Sequence, residues 1–356
     1  MKQNNYLLNF LKVTFFALLL IATSPVRAEI KVVTTIKPLH SLIANVMDGV
    51  GEPSLIIEDS TSPHSFTLKP SHAKLLEEAD LIFWVGEGIE TFMERPLESI
   101  VKNAEVVEFM EVESIEKLKF REESIYGDHD DHDDHDDHDD HDDHDDHDDH
   151  DDHDEDHDGH DDHDDHDGHD DHDDHDDHDD HAGHEGHNHG EFDAHIWLDP
   201  MNAKEMVREI AHELGHLDPT NKDKYEANAD ATILALDQLI EDVSKDINKD
   251  AKFVVFHDAY QYFEERFSVR AAGALTLNTD VLPGAKQIDE IQDVIKDRGI
   301  NCIFSEPQFN PKIITTIAKD TNIKTGVFDP LGANINSGKD LYFKLISNLG
   351  KELKGC

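Results

Sequence analysis

The chain has 356 residues, and its 82 acidic residues outnumber its 31 basic ones to give a formal charge of −51. This balance argues against nucleic acid as a partner, because the sequence shows no stripe of basic residues that could bind a phosphate backbone. It favours cations as partners. The length is enough for two modest lobes once two unusual segments are set aside.

The first unusual segment is residues 1–28. A positive charge at Lys2, a short apolar run at 13–22 and the sequence Val26-Arg27-Ala28 predict a secretory signal peptide cleaved after Ala28. The apolar run is too short to span a bilayer comfortably, and no Cys directly follows the cleavage site to carry a lipid anchor. The mature chain is therefore expected to be exported and soluble.

The mature chain opens with alternating strand and helix signals. Ile30–Ile36 is a β-rich run that leads into a helical pattern through Val46. A helix at 73–78 then leads into a strand at Leu81–Val85. This alternation predicts the start of an α/β lobe.

The second unusual segment, Asp128–Glu191, is a nearly pure Asp-Asp-His repeat. It holds 21 of the 28 histidines and 36 of the acidic residues, so the rest of the chain carries only −15. Imidazole and carboxylate bind divalent metals, and imidazole favours zinc, copper or nickel over calcium. Because the segment has almost no apolar residues to bury, it predicts a disordered metal-collecting loop, with an acidic spacer as the alternative.

Helical periodicity follows at Met201–Leu217 and resumes from Asn221 towards Val243, with a break at Asp218-Pro219. Strands are then predicted at 252–256, 302–305 and 325–328, again separated by helices.

These elements predict an α/β fold of two lobes, each with a mainly parallel sheet flanked by helices. A long linking helix joins the lobes, and the disordered His/Asp-rich insert interrupts the first. The predicted division is a signal peptide at 1–28, an N-terminal metal-binding lobe at 29–127 and 192–200, the insert at 128–191, a linking helical region at 201–243 and a C-terminal metal-binding lobe at 244–356.

Three histidines outside the insert, His64, His195 and His257, follow strands or lie in Pro-flanked turns. Ligands of open α/β sheets bind at such strand ends. Three imidazoles with one carboxylate or water make a tetrahedral zinc site. Asp329 is a candidate for the oxygen ligand and Glu306 is the alternative, and either could instead orient a ligating imidazole.

One motif points to a different class of protein. His212-Glu213-Leu214-Gly215-His216 fits the metalloprotease pattern of two histidines and a Glu, with Glu226 close enough to be a third ligand. The longer His-x-x-Gly-x-x-His form is missing. A solvated helix face, able to bind a stray metal, is the simpler interpretation, so no catalytic residue is assigned.

The two cysteines of the chain, Cys302 and Cys356, both lie in the mature part. In an oxidising compartment an even count favours one disulfide, and two buried thiols are the alternative.

Several motifs occur in an order that resembles the metal-binding solute receptors of bacterial ABC importers. They are Pro63–Ser71, Ala79–Gly86, His195–Pro200, Phe256–Tyr260, Ser305–Phe309 and Asp329–Gly332. The resemblance covers essentially all of residues 29–356. The insert, and His257 where manganese receptors have a Glu, resemble the zinc branch of this cluster A-I receptor family.

This resemblance implies a high-affinity zinc receptor of the periplasm, monomeric and without enzymatic activity. Such a receptor delivers Zn²⁺ to an ABC permease and its ATPase at the inner membrane. A periplasmic zinc buffer that has no permease partner is the competing hypothesis. The insert would be an accessory, low-affinity collector or sensor with further weak zinc sites.

The resemblance also implies the site. His64, His195 and His257 correspond to zinc ligands of one interlobe site, and Asp329 matches a carboxylate that water can replace in zinc receptors. Pro63 stands where some relatives have a ligating Glu, which leaves Asp329 or water as the fourth ligand. The Cys302–Cys356 pair resembles a disulfide of Gram-negative zinc receptors.

Overall fold

A computed structural model describes residues 30–125, 190–277, 279 and 283–356. The predicted signal peptide lies outside the described residues. So does the Asp-Asp-His tract, except for Gly190 and Glu191 at its end.

The first lobe contains a sheet of four parallel strands in the order β2-β1-β3-β4. All of β1 and β3 is buried, as expected for parallel strands covered on both faces. The strands are β1 (Val32–Thr34), β2 (Ser54–Leu55), β3 (Leu81–Trp84) and β4 (Glu105–Glu108). The helices are α1 (Lys37–Val46), α2 (Pro70–Glu77) and α3 (Glu94–Ser99).

The second lobe repeats this arrangement with the strand order β6-β5-β7-β8, again parallel. Its strands are β5 (Phe253–His257), β6 (Ala274–Thr276), β7 (Cys302–Ser305) and β8 (Lys324–Val327). Its helices are α6 (Gln261–Phe267), α7 (Ala285–Asp297) and α8 (Lys312–Thr321). The two sheets confirm the predicted fold class.

Two helices connect the lobes, α4 (Pro200–Leu217) and α5 (Lys222–Asp246), and they pack against each other. The Asp199 carboxylate caps α4 by accepting the Met201 N–H at 2.8 Å. The predicted break at Asp218-Pro219 lies between the two helices. The 25 residues of α5 span about 37 Å, which makes it the long linking helix.

The last helix, α9 (Leu341–Lys354), packs on α1 and α5 and so returns to the first lobe. The first turn of α9 is attached to α1, because the Tyr342 N–H donates to Ser41 Oγ at 3.0 Å. Lys37 of α1 donates to the Ala333 carbonyl at 3.0 Å. One hydrophobic core therefore runs through residues of both sheets. Within the described residues, no helix combines the length and apolar composition that crossing a membrane requires.

The predicted Cys302–Cys356 disulfide is present, with Cα atoms 5.8 Å apart. It joins the first residue of β7 to Cys356, two residues after α9. The bond therefore fixes the segment after α9 to a buried strand of the second sheet.

Candidate metal centre

His64, His195 and His257 come together from three separate elements. His64 lies in a 3₁₀ turn at Pro63–Ser65, and His195 directly precedes a second 3₁₀ turn at Ile196–Leu198. His257 is the last residue of β5. Two histidines thus come from the first lobe and one from the carboxyl end of a central strand of the second.

One nitrogen of each imidazole lies within 4.8 Å of the others. The ring centroids of His195 and His257 are 4.9 Å apart, and that of His64 is 5.6 Å from each. Tetrahedral zinc with Zn–N bonds of about 2.0–2.1 Å would hold its ligand atoms roughly 3.4 Å apart. Small side-chain movements are therefore enough to close this group around one ion.

The three rings line a cleft between the lobes, a cavity of about 290 Å³. His195 and His257 are only 5% and 4% exposed, whereas His64 is partly exposed. Much of the remaining lining is apolar and includes Ile89, Phe120, Ala194 and Leu277. An ion in this cavity would be bound by side chains with little competition from bulk water.

Asp193 orients His195. Its Oδ1 lies 2.6 Å from His195 Nδ1 and also accepts the backbone N–H of His195 at 2.9 Å. Gln261 donates to the other oxygen, Oδ2, at 2.7 Å, and the Tyr262 hydroxyl donates to the Asp193 carbonyl at 2.6 Å. With Nδ1 bound in this way, Nε2 is the nitrogen left to bind metal. Sequence patterns do not identify Asp193, because their only signal is an Asp two residues before a candidate ligand.

Glu306 makes the corresponding contact with His257, its two oxygens lying 3.2 and 3.3 Å from His257 Nδ1. Glu306 is 4% exposed. Burial lowers the pKa of His257, but the Glu306 carboxylate and, more weakly, Asp258 and Asp193 offset this, so that the pKa is raised. Of the two roles predicted for Glu306, ligand or orienting partner, the hydrogen bond to Nδ1 corresponds to the second.

The structure does not bring Asp329 into the group formed by the three histidines. Its Oδ1 accepts the backbone N–H of Gly332 at 3.0 Å and the amide of Gln308 at 3.1 Å, which stabilises the turn after β8. Burial raises the pKa of the Tyr260 phenol well above its usual value, and the charges of Glu306 and Asp329 raise it further.

The His-Glu-x-x-His motif lies on the surface of α4, where the side chains of His212 and His216 are 67% and 70% exposed. Within the described residues, the potential metal-ligating group at this helix joins His216 to Glu213 and Glu105 and does not include His212. Glu226 forms an ion pair with Lys222 at 3.7 Å. The paired histidines of a metalloprotease site are thus not assembled here.

Known proteins resemble this chain over almost its whole length. A family profile described as "ZnuA: Zinc-uptake complex component A periplasmic" matches residues 32–356. The "High-affinity zinc uptake system protein ZnuA" of Brucella abortus (strain 2308) is 47% identical over 327 residues, covering 91% of each protein. The protein of the same name from Yersinia pestis is 32% identical over 351 residues, covering 98% of each.

A solved structure described as "Crystal structure of ZnuA" has a TM-score of 0.66 and 19% identity to this chain. The alignment covers 92% of this chain and 98% of that one. At this identity the similarity demonstrates the shared two-lobe α/β fold.

Proposed function

This chain belongs to the family of periplasmic ZnuA components of zinc-uptake complexes, and we propose that it is a high-affinity zinc receptor of the periplasm. It captures Zn²⁺ and delivers it to an ABC permease powered by an ATPase. The observation that carries this proposal is the convergence of His64 and His195 with His257, from opposite lobes, in one cavity. The proposed role is transport, without catalysis.

The donor set supports zinc as the cargo. Three imidazole nitrogens suit zinc and its late first-row neighbours, whereas calcium and magnesium prefer oxygen ligands. A water molecule completes the tetrahedron in our proposal, because Asp329 Oδ1 is engaged by the turn after β8. Rotation of Asp329 into the cavity is the alternative.

Asp193 and Glu306 support binding without contacting the ion. Each holds one ligating imidazole by Nδ1, which keeps the other nitrogen aimed at the cavity. The two buried carboxylates also offset the double positive charge that zinc would bring into this apolar region.

Capture would require little movement of the lobes. Arg266 of the second lobe binds the Asp199 carboxylate through two hydrogen bonds of 2.7 Å. The Trp197 indole donates to the Pro330 carbonyl at 2.8 Å. These contacts hold the segment that carries His195 against the second lobe, so capture would depend on the side chains and their loops. Metal would favour the arrangement in which both lobes supply ligands at once.

The Asp-Asp-His tract is proposed as an accessory, low-affinity zinc collector or sensor. Its imidazoles alternate with carboxylates that favour the protonated, non-binding form. The tract should therefore release zinc on mild acidification more readily than the cleft. Its removal is expected to lower zinc stoichiometry and to leave the tight site intact.

Zinc titration in competition with chelators of graded affinity tests the tight site. Wild-type protein should bind one zinc ion far more strongly than the rest, and His257→Ala should lose that ion. His212→Ala, an exposed histidine outside the cavity, is the matched control and should retain it. Tight binding that survives in His257→Ala would refute the assignment.

Delivery needs a separate test. In a bacterium that lacks its own zinc receptor, this chain should restore growth under zinc chelation only when the permease is present. Growth restored without the permease would instead support a periplasmic zinc buffer. Peptidase activity that disappears in Glu213→Gln would support the metalloprotease hypothesis.

A further inference from the structure

We propose a second divalent-metal site on the first lobe, formed by Glu105, Glu213 and His216. One ligand atom from each residue lies within 4.8 Å of the other two. Glu105 is the first residue of the edge strand β4, and the other two residues lie on α4. The site is built from different elements than the cleft and does not depend on the proposed function.

The positions of the ligands follow from regular secondary structure. Residues three apart on a helix are neighbours on one face, which places Glu213 and His216 side by side. Strand β4 brings Glu105 to them, with Oε1 3.7 Å from His216 Nδ1. This distance is too long for a hydrogen bond, and it leaves space that a bridging ion could use.

The charges of the group are poorly balanced without a cation. Among the described residues, no Lys or Arg forms an ion pair with Glu105 or Glu213, and Glu105 Oε2 is buried with no hydrogen-bond partner. Burial raises the pKa of Glu213; the nearby His212 lowers it, while the charges of Glu209 and Glu105 and a hydrogen bond with Glu105 raise it further, which is consistent with two carboxyl groups that share a proton when no metal is bound. A bound divalent ion would separate and neutralise the two carboxylates, and it would satisfy the buried oxygen.

The donors define the ligand class. Two carboxylate oxygens and one imidazole nitrogen, completed by water, suit zinc or another first-row divalent ion better than calcium. The His216 side chain is 70% exposed and that of Glu105 is 41% exposed, so this site should be weaker than the buried cleft. A bound ion would link the edge strand β4 to α4 and stabilise the first lobe.

The tract contains many other histidines that can bind zinc. The test therefore measures the reactivity of individual histidines in the full-length protein. Histidines are modified with diethylpyrocarbonate during a titration with zinc chloride, and each modified peptide is quantified by mass spectrometry. Zinc should protect His216. The exposed His212 is an internal control on the same helix and should stay reactive.

Variants identify the ligands. Loss of an orienting partner alone weakens metal sites 10- to 100-fold, so Glu105→Gln and Glu213→Gln should each shift the His216 protection midpoint by about tenfold or more. Glu241→Gln, on α5 and paired with Lys245 at 3.1 Å, is the matched control and should keep the wild-type midpoint. The proposal fails if saturating zinc leaves His216 reactive, or if protection persists in the Glu105→Gln/Glu213→Gln double variant. Neither result depends on the cleft histidines, because their modification is quantified on separate peptides.

Discussion

His195 Nδ1 lies 2.6 Å from Oδ1 of Asp193, and this carboxylate also accepts the His195 backbone N–H. The imidazole and its orienting partner are therefore only two residues apart in sequence. Gln261 of the second lobe holds the second carboxylate oxygen. The position of His195, a proposed ligand from the first lobe, is thus controlled from both lobes.

Asp193→Asn should weaken zinc binding at the cleft about 10- to 100-fold. The amide can still accept a hydrogen bond, but it loses the negative charge that fixes the His195 tautomer and offsets the ion. Competition with chelators measures the change. Asp230→Asn, the same substitution at an exposed position of helix α5, is the matched control and should leave the cleft affinity unchanged. Wild-type affinity in Asp193→Asn would show that the contact is only structural.

Arg121→Gln should lower the free energy of unfolding of the metal-free protein by about 3–5 kcal/mol. Arg121 donates to Asp258 at 2.8 Å and to Glu264 at 2.7 Å, and both carboxylates are at least 94% buried. The substitution leaves these two carboxylates without their cation in a buried site. Urea denaturation measures the loss.

The control for Arg121 is Lys31→Gln. Lys31 forms an ion pair with Glu78 at 3.0 Å, but the two side chains are 58% and 46% exposed. Such a surface pair contributes about 0–1 kcal/mol. Equal losses in the two variants would contradict the idea that burial sets the importance of the Arg121 contact.

Glu90→Gln should remove a pH dependence of stability. Glu90 is fully buried, and desolvation raises its pKa to about 7. The folded state therefore holds a proton that the unfolded state releases near pH 4.5. The stabilisation from this proton is complete below pH 4.5 and is lost as the pH rises through 7, by up to about 3 kcal/mol.

The measurement compares urea denaturation of wild type and Glu90→Gln at pH 5 and pH 8 with zinc chelated. Relative to wild type, the variant should be more stable at pH 8 than at pH 5. Taking the difference between two proteins cancels titrating groups that do not interact with Glu90. Glu108, whose pKa burial also raises to about 7, raises the pKa of Glu90 through its charge, so its titration contributes to the measured difference. A difference that does not change with pH would contradict the prediction.

Reduction of the Cys302–Cys356 disulfide should destabilise the fold and spare the cleft. The bond closes a loop with a sequence separation of 54 residues, for which chain entropy predicts roughly 4 kcal/mol. Cys302 begins β7, whereas Glu306 follows the other end of that strand beside His257. A lower unfolding temperature in reductant, with unchanged zinc affinity at 25 °C, is the expected pair of results. Loss of zinc affinity in the folded, reduced protein would show that the bond also shapes the site.

Much of the fold could be predicted from local patterns. Apolar β-rich runs such as Leu81–Val85 correspond to buried strands, and the Asp218-Pro219 break separates α4 from α5. The disulfide was favoured by an even number of cysteines. The return of α9 to the first lobe could not be predicted in this way, because its apolar face indicates that it packs but does not identify its partner.

The candidate metal site could likewise be predicted only in part from the sequence. Placement after strands or in rigid turns selected three histidines, and the structure brings them within 4.8 Å of each other, although their role as zinc ligands stays a proposal. The same placement suggested Asp329, which lies outside that group. Asp193 and Glu105 received no role from their sequence surroundings, because a lone acidic residue in a loop or an edge strand resembles any solvated one.

The sequence by itself determined the α/β class, the exported character expected of the chain and the three histidines of the cleft. Periodicity, composition and residue type are local properties, and these features depend on them. Only the tertiary structure decided that Glu306 orients His257, 49 residues away, and that Glu105 meets Glu213 and His216. Such contacts depend on how distant segments pack around a common core, which short-range patterns do not encode. The same carboxylate can be a solvated charge, an orienting partner or a ligand, according to what the fold places within about 3 to 5 Å of it.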